Sequence, residues 1–494
     1  MRTRVRTLAT STDQDRLRLI SFSPMVAIAL LGFVPFGLLL FAFLPARRAV
    51  AAIYILGWCF LPPAASYKLP GLPDYNKFHA IMITAMLGSV LFDMKTLLRF
   101  RPHWADIPAA VFMFVPFFSS ITNGLGVNDG LSSMFQNFSF WVAPYFLGRV
   151  YFSDLPGIRE FAIWIFIGAV LCMPLCWIEM KMSPQLNRWV YGFHQHAAFD
   201  QTRRYGGWRP MIFMQHGLMV GLWMGVGTLM ATILWMSGAL KKFLAIPMSV
   251  WTTMLALTTV LCRSFGALAL LAIALVIASV ARQIRVPILV VVFALMPVTY
   301  VATRSTGLWD GMELVSAARQ VAGEQRGGSL EFRLRSENAL VDHALKQPIF
   351  GWGGWDRNRP DRKEVGYRIA TDGLWVIQVG QRGLVGMVCF MLIFLVPPFL
   401  FFRRWGMVGI THPWLAPGLG LTLAILMFLN DSLFNSMINP IYTVAAGAIS
   451  GLVLTPEIRA ALAKNMALRQ ARQNITNARS QEKAGLGGAT PSLR

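Results

Sequence analysis

Arginines stand where polar segments of this chain meet apolar ones. Arg203, Arg204 and Arg209 precede the apolar run "PMIFMQHGLMVG", and Arg263 lies in "CRSFGALALL", at the turn between two apolar runs. A guanidinium group keeps its charge at physiological pH and can hold a phosphate through two parallel hydrogen bonds. These positions therefore predict an anion-binding site, provided that the side chains converge. The alternative for Arg263 is contact with lipid headgroups.

Two further arginines, Arg333 and Arg335, lie in "SLEFRLRSENALVDHALKQPIFGWG". The apolar positions of this stretch follow helical spacing, which predicts an amphipathic helix at the membrane surface that ends in a tight glycine turn at 348–354. Those positions are Leu334, Leu340, Val341, Ala344 and Leu345. Both arginines are candidates for the anion-binding site.

An aspartate, Asp372, opens the apolar segment "TDGLWVIQVGQRGLVG". Thr371 or Asp372 can cap the helix that follows, by accepting hydrogen bonds from its first N–H groups. The alternative for Asp372 is catalytic, since a carboxylate can take the proton from an attacking hydroxyl group. The next turns carry polar side chains that predict a side facing protein or a wet cavity, and small residues that predict close helix packing. They are Gln378, Gln381 and Arg382, and Gly380, Gly383 and Gly386.

The histidines supply a second candidate proton acceptor. His216 enters the apolar run that follows Arg209, where the alternative role is a helix contact. His194 and His196 have the spacing of two metal ligands, but a third ligand is not evident, so neither a metal nor another cofactor is predicted. The 5 cysteines lie in or beside apolar runs and indicate packing rather than a disulfide framework.

Several arginines with one carboxylate suit a displacement at a sugar whose leaving group is a lipid-bound diphosphate. Fixed cations can stabilise the negative charge that develops on the diphosphate without a metal ion. A carboxylate or a histidine can accept the proton of the attacking sugar hydroxyl. The predicted catalytic residue is Asp372, and the predicted diphosphate-binding or substrate-binding residues are Arg203, Arg204, Arg209, Arg263, Arg333, Arg335 and His216.

The elements that position these residues belong to a membrane. Of the 494 residues, 55% are hydrophobic and only 14% are charged, against about 25% in an ordinary globular protein. Apolar runs long enough to span a bilayer recur from Pro24 to Leu454. We predict an all-α polytopic membrane protein with about 12 (11–13) transmembrane helices. The net charge of +22 lies in short loops and at the chain ends, which disfavours a nucleic-acid partner.

The distribution of basic residues predicts the topology. Basic tails at 1–23 and 456–494 are expected in the cytoplasm, on either side of a transmembrane domain at 24–455. Loops at 179–210 and 303–371 then lie on the opposite, outer face, and the second is expected to contain short helices. Strict alternation places the N-terminus outside, against its own arginines. The conflict leaves open whether one of the first two apolar runs is a re-entrant or interfacial helix.

Three segments, in this order, resemble the O-antigen ligase and O-antigen polymerase superfamily of bacterial membrane glycosyltransferases. "LCRSFGALALLAIAL" is similar to its Ser-Arg-Gly-type motif, and "RLRSENALVDHALKQPIFGWG" to its Arg-rich stretch followed by Pro-x-x-Gly-x-Gly. "TDGLWVIQVGQRGLVG" is similar to its segment that begins His-Asn and ends Gly-x-x-Gly. The resemblance covers roughly residues 200 to 400 of the chain, and only the ordered set of motifs is specific.

The resemblance implies an all-helical fold with about a dozen spans and a large periplasmic loop in the bacterial inner membrane. It implies glycan transfer or polymerisation from an undecaprenyl diphosphate donor to a sugar hydroxyl, without a metal, with Arg263 and either Arg333 or Arg335 binding the diphosphate. Asp372 replaces the histidine of the ligases, which favours a polymerase-like or divergent member and leaves open one without activity.

Two other classes of function remain open at this stage. One is a transporter or flippase of polysaccharide or lipid-linked glycan, for which the number of spans is suitable but mid-span charges are scarce. The other is a non-catalytic partner of polysaccharide-export proteins. All three readings share the membrane lipids and a lipid-linked or polymeric glycan as partners.

Overall fold

A computed structural model describes residues 24–67, 73–196, 199–204, 206–284, 288–354, 356–361, 366, 369 and 371–454. It is about 75% helical, with almost no sheet. The only strands among these residues form three antiparallel two-residue ladders, which are Ser66–Tyr67 with Tyr75–Asn76, Arg203–Arg204 with Gly207–Trp208, and Lys242–Phe243 with Ile246–Pro247. The predicted all-α class is confirmed.

The helices are numbered here in chain order. Helices α1 to α7 are Pro24–Phe43, Ala46–Phe60, Lys77–Leu98, Ile107–Thr122, Val127–Asn137, Ala143–Tyr151 and Leu155–Met182. Helices α8 to α12 are Leu186–Tyr191, Gly217–Met236, Met248–Leu261, Phe265–Ile284 and Ile288–Ser305. Helices α13 to α17 are Met312–Ala322, Glu324–Ala344, Leu374–Thr411, Ala416–Asp431 and Pro440–Leu454. A π-helical segment, Phe138–Val142, joins α5 to α6, and short 3-10 turns lie at Trp104–Asp106 and Phe199–Thr202.

Within the described residues, 7 helices are long and apolar enough to cross a membrane. Shorter apolar helices accompany them, and these are Met248–Leu261, Phe265–Val280, Ala416–Asp431 and Pro440–Leu454. Many large apolar side chains on the outer helices are exposed, as the lipid-facing surface of a multipass membrane protein requires.

The centre of the bundle is formed by α16 and α17. Every residue of α16 is buried, and small residues let α17 approach α6 backbone to backbone. A side chain at Gly447 would overlap the carbonyl group of Tyr145, and one at Gly148 would overlap that of Val444. This close packing is typical of membrane helices, where small residues at the interface replace a hydrophobic driving force.

The bundle has two ends of different character. At one end, Arg47 forms an ion pair of 2.7 Å with Asp154, which caps α7, and Arg149 forms one of 2.8 Å with Asp106. At the other end lie the two long loops, at 183–216 and 306–373, which carry the candidate site. We call this the site end.

Helix α1 runs antiparallel to α2 along its length. A side chain at Gly57 would meet Phe33, and one at Gly37 would meet Ile53, so the two helices face each other in reverse order. The Tyr75 hydroxyl donates a hydrogen bond of 3.2 Å to the Leu30 carbonyl oxygen, near the start of α1. Helix α2 begins at the end of the bundle that carries Arg47 and runs towards the site end. Because α1 is antiparallel to it, α1 begins at the site end with Pro24. The tails at 1–23 and 456–494 lie outside the described residues, and their side of the membrane stays a prediction.

Candidate functional site

The helix predicted in the second loop is confirmed as α14, and its place at the membrane surface stays a prediction. Its apolar side chains Leu334, Leu340, Val341 and Ala344 are buried, whereas Leu345, just beyond its end, is exposed. The apolar stripe holds α14 against the ends of α12 and α15. The opposite, polar side of the helix faces water, so α14 presents some of its charged residues to the bundle and others to solvent.

Arg333 and Asp372 form the central contact of the site. The Nε atom of Arg333 lies 2.9 Å from Oδ2 of Asp372, and the side chains are 39% and 41% exposed, respectively. The pair therefore joins α14 to the start of α15 at a surface that water reaches. Arg335 is turned away, since two residues along a helix correspond to about 200° of rotation. It is 68% exposed and pairs with Glu331 at 2.6 Å.

The capping role predicted for Thr371 or Asp372 is taken by another residue. The N–H of Leu374 donates a hydrogen bond of 2.9 Å to the carbonyl oxygen of Ser432, at the end of α16. Because the backbone of a neighbouring helix satisfies this first N–H group, the Asp372 carboxylate is directed to Arg333 instead.

A small pocket opens beside the pair. It is lined by Arg333, Glu337, Leu340, Asp372, Val376 and Phe434, among others. Its free volume of about 10 Å³ is close to what one water molecule needs. A sugar can enter only when the surrounding side chains move apart.

Glu337 is a second carboxylate in this pocket, and it was not among the residues predicted from the sequence. Oε2 accepts a hydrogen bond of 3.0 Å from the Tyr300 hydroxyl, and Oε1 lies 3.6 Å from Nε of Arg304. Both partners come from α12, one turn apart. Burial raises the pKa of Glu337 to about 7, although the Arg304 charge and the Tyr300 hydrogen bond oppose this rise. The sequence signal was its position four residues after Arg333, on the same helical face.

Three of the predicted arginines meet at a hairpin formed by Arg203–Arg204 and Gly207–Trp208. Nη1 of Arg263 donates a hydrogen bond of 2.7 Å to the Arg204 carbonyl oxygen, and Nη2 of Arg209 donates one of 3.0 Å to the Arg263 carbonyl oxygen. Gly207 permits this arrangement, because a side chain there would overlap the Arg263 guanidinium group. We call Arg204, Arg209 and Arg263 the arginine cluster.

Arg203 does not join the arginine cluster. Its side chain is exposed and lies over the Trp208 ring, 6.0 Å from the centroid. Successive residues of a strand point to opposite sides, so Arg203 and Arg204 cannot both face the cluster.

His216 borders a second pocket, together with His196 and Arg209. Its Nδ1 atom accepts the N–H of Leu218 at 3.1 Å and so caps α9, which leaves the proton of a neutral ring on Nε2. Burial, and then the charges of His196, Arg209, Arg204 and Arg333, together lower the pKa of His216 to about 3. His216 is therefore a neutral hydrogen-bond donor rather than a base at neutral pH.

The influence of Arg333 on His216 links the two halves of the site. Arg333 belongs to α14, in the loop before α15, whereas His216 and the other cations belong to the loop before α9. Their charges act on the same imidazole ring. The structure thus brings Arg204, Arg209, Arg263, Arg333, His216 and Asp372 to one region of the site end, and leaves Arg203 and Arg335 at its surface.

Glu179 anchors the loop that carries the arginine cluster. Its Oε2 atom accepts the N–H groups of Met211 and Ile212, both at 2.7 Å, and its Oε1 atom accepts the N–H of Leu186 at 3.0 Å. One buried carboxylate at the end of α7 therefore ties the start of α8 to residues 211–212, near the two ends of the loop 183–216. This role of Glu179 was not predicted from the sequence.

In the glycine stripe of α15, Gly380 and Gly383 pack against a loop, whereas Gly386 faces Val115 of α4. The N–H of Trp352 donates a hydrogen bond of 2.9 Å to the Gly380 carbonyl oxygen, and the N–H of Leu384 donates one of 2.7 Å to the Pro348 carbonyl oxygen. Gly383, with a φ of 64°, breaks the regular helix at this point, and a side chain there would overlap Ile349. The tight glycine turn predicted at 348–354 is confirmed, and it packs against Gly380 and Gly383 of α15.

The polar residues of the first turns of α15 bond to one another. Nη1 of Arg382 donates a hydrogen bond of 2.8 Å to Oε1 of Gln378, which is buried, and the Arg382 guanidinium group lies 5.4 Å from the centroid of the Phe112 ring. This side of α15 faces protein, as the sequence predicted.

Among the described residues, His, Cys, Asp and Glu side chains form no group of three or more that would hold a metal ion. No protein-family model matches the chain, and no curated protein is similar enough to it to be matched.

Proposed function

We propose that this protein transfers glycan from an undecaprenyl diphosphate donor to a sugar hydroxyl, as an enzyme of cell-envelope or exopolysaccharide synthesis. In this proposal the site end faces the periplasm, the chain spans the bacterial inner membrane about 12 (11–13) times, and the reaction needs no metal. The resemblance to O-antigen ligases and polymerases and the position of the cations agree with this reaction.

The observation that carries the proposal is the Arg333–Asp372 ion pair beside the arginine cluster. A carboxylate next to convergent cations supplies both functions that the displacement needs. The cations stabilise the diphosphate as it leaves, and the carboxylate accepts the proton of the incoming hydroxyl.

The proposed reaction is a single displacement. The acceptor hydroxyl oxygen bonds to the anomeric carbon of the donor sugar, while the bond from that carbon to the diphosphate oxygen breaks. Undecaprenyl diphosphate leaves with the bonding electrons, and its charge is met by the guanidinium groups of Arg209, Arg263 and Arg333 and by the Nε2–H of His216. Asp372 takes the hydroxyl proton.

Entry of the donor requires Arg333 to exchange partners. The pocket is closed to anything larger than water while Arg333 holds Asp372. A diphosphate that binds Arg333 replaces the carboxylate and leaves Asp372 available to the acceptor. The partners are thus a lipid-linked glycan donor, a glycan or lipid-linked acceptor, the surrounding lipids and, for export of the product, polysaccharide-export proteins.

The test uses the full-length protein reconstituted in liposomes with undecaprenyl diphosphate-linked glycan. The wild type is expected to release undecaprenyl diphosphate and to form a new glycosidic bond. Asp372→Asn is expected to lower the rate by about a hundredfold, the lower bound for loss of a general base. Asp356→Asn is the control, since Asp356 is an exposed residue that pairs with Arg359 on its own loop. Full activity in Asp372→Asn contradicts the proposal.

A further inference from the structure

The pocket beside Arg333 contains two carboxylates in different surroundings. Asp372 is paired with Arg333 and partly exposed, whereas Glu337 lies deeper and is almost completely buried. Arg333, Glu337 and Leu340 are spaced i, i+4 and i+7 on α14, so one helical face presents a cation and a carboxylate to the same space. The displacement described above uses only Asp372.

The charged and titratable groups that face Glu337 come from three elements. Arg304 and Tyr300 approach from α12, Arg333 precedes it by one turn on α14, and Asp372 stands across the pocket at the start of α15. These are the groups that set its protonation.

Arg304 neutralises Glu337 only in part. Nη1 of Arg304 donates to the carbonyl oxygens of Trp309 and Asp310, and its Nη2 donates to that of Leu334. Only Nε is directed at Glu337, at 3.6 Å, which is longer than a hydrogen bond. A buried carboxylate with one good hydrogen bond and one distant cation is suited to gain and lose a proton, rather than to hold a fixed charge.

We infer that Glu337 is a positioning residue that receives the acceptor proton from Asp372, through one water molecule in the pocket. This inference rests on the proposed function. The hydroxyl O–H bond breaks as the glycosidic bond forms, Asp372 takes the proton first, and the water passes it to an oxygen of Glu337. Asp372 returns to its ionised form, and Glu337 later releases the proton to solvent.

The surroundings of Glu337 suit it to take up the proton. The pKa of Glu337 is raised to about 7 by burial, so Glu337 can take a proton near neutral pH and lose it again. Both carboxylates line the same pocket, which has free volume for about one water molecule.

The test is the pH dependence of glycan transfer by the reconstituted full-length protein. The rate of the wild type is expected to fall below about pH 7, where Glu337 is already protonated. Glu337→Gln keeps the shape and accepts the Tyr300 hydrogen bond, but it cannot take a proton. We expect the rate of this variant at pH 8 to be about a hundredfold lower than that of the wild type. We also expect its rate not to fall below pH 7, so that this limb of the pH profile is absent. Glu337→Asp is expected to restore part of the rate together with a limb.

Tyr300→Phe gives a second test that does not depend on removing the carboxylate. The Tyr300 hydrogen bond stabilises the ionised form of Glu337, so its loss raises the pKa of Glu337 and moves the limb to higher pH. Glu331→Gln, on the same helix but outside the pocket, where Glu331 pairs with Arg319 and Arg335, is the control and leaves the profile unchanged.

The outcomes separate the two proposals. A wild type that transfers no glycan at any pH contradicts the proposed function and the relay with it. An active wild type whose limb persists in Glu337→Gln contradicts the relay alone. A limb that stays in place or moves to lower pH in Tyr300→Phe also overturns the relay. Equal loss of rate at all pH values in Glu337→Gln and Glu337→Asp, with the limb retained, assigns Glu337 a purely structural role.

Discussion

Arg333 and Arg335 stand two positions apart on one helix but belong to different surroundings. Arg333 reaches across a pocket to Asp372, whereas Arg335 pairs with Glu331 on its own helix and is mostly exposed. The two residues have the same chemistry and lie on the same helix. They therefore form a matched pair for testing which charge acts on a substrate.

Arg333→Ala is expected to lower glycan transfer by about a hundredfold, because a guanidinium group that meets the developing diphosphate charge is removed. Arg335→Ala is expected to stay within about twofold of the wild type, since exposed ion pairs contribute little. The measurement is the rate of undecaprenyl diphosphate release at saturating and limiting donor. Equal losses in the two variants would assign the effect to general surface charge instead of this position.

His216 is expected to act without titrating in the physiological range. The pKa of its ring is lowered to about 3 in the folded protein, from 6.5 in an unfolded chain. Below pH 6.5 the His216 ring is protonated in the unfolded state but not in the folded state. The contribution of His216 to the free energy of unfolding therefore becomes steadily more unfavourable to the fold as the pH falls towards 3. We expect His216→Asn, which can still cap α9, to lose less thermal stability than the wild type between pH 7.5 and pH 5.

The same variant separates capping from substrate binding. His216→Asn is expected to weaken donor binding, because the Nε2–H donor is removed, while His216→Ala also loses the cap at a cost of about 1 kcal/mol in stability. Donor binding is measured with a fluorescent polyprenyl diphosphate, and stability by thermal unfolding in detergent. Donor binding in His216→Asn that equals the wild type would show that His216 only caps the helix.

Glu179 is expected to hold the arginine cluster in place. Glu179→Gln replaces one acceptor oxygen by an NH2 group, so at least one of the three N–H groups it binds loses its partner. Leaving a buried donor unsatisfied costs about 1–3 kcal/mol. The expected result is faster proteolysis within the loop 183–216, lower thermal stability and lower transfer activity.

Glu160→Gln is the control for this change, because Glu160 lies on the same helix at the opposite end of the bundle and forms an ion pair with Arg48. A change of less than about 0.5 kcal/mol is expected there. If proteolysis of the loop is the same in Glu179→Gln as in Glu160→Gln, the anchoring role is wrong.

The amino-acid sequence by itself determined the class of the protein and where its chemistry is concentrated. A chain with so few charges and so many long apolar runs must bury its backbone polar groups within helices in a membrane. The periodicity of 334–345 sufficed to predict α14, and the glycines after Pro348 sufficed to predict a turn. These features depend on residues that are close together in the chain, which is why composition and spacing reveal them.

Only the tertiary structure decided which of those residues meet. The choice of Arg333 over Arg335 depends on which face of α14 packs against α12 and α15. The Ser432 carbonyl group took the capping role predicted for Thr371 or Asp372. A turn of the preceding loop packs on Gly380 and Gly383, where a helix was predicted, and only Gly386 meets a helix.

Glu337 and Glu179 escaped notice in the sequence for the same reason. A glutamate on a polar helix face or at the end of a span has the same local pattern whether it faces solvent or a buried partner. Its role is set by Tyr300 and Arg304 in one case, and by the backbone of Met211 and Ile212 in the other. Contacts of this kind join residues far apart in the chain, and packing of the helices, not local spacing, brings them within hydrogen-bonding distance.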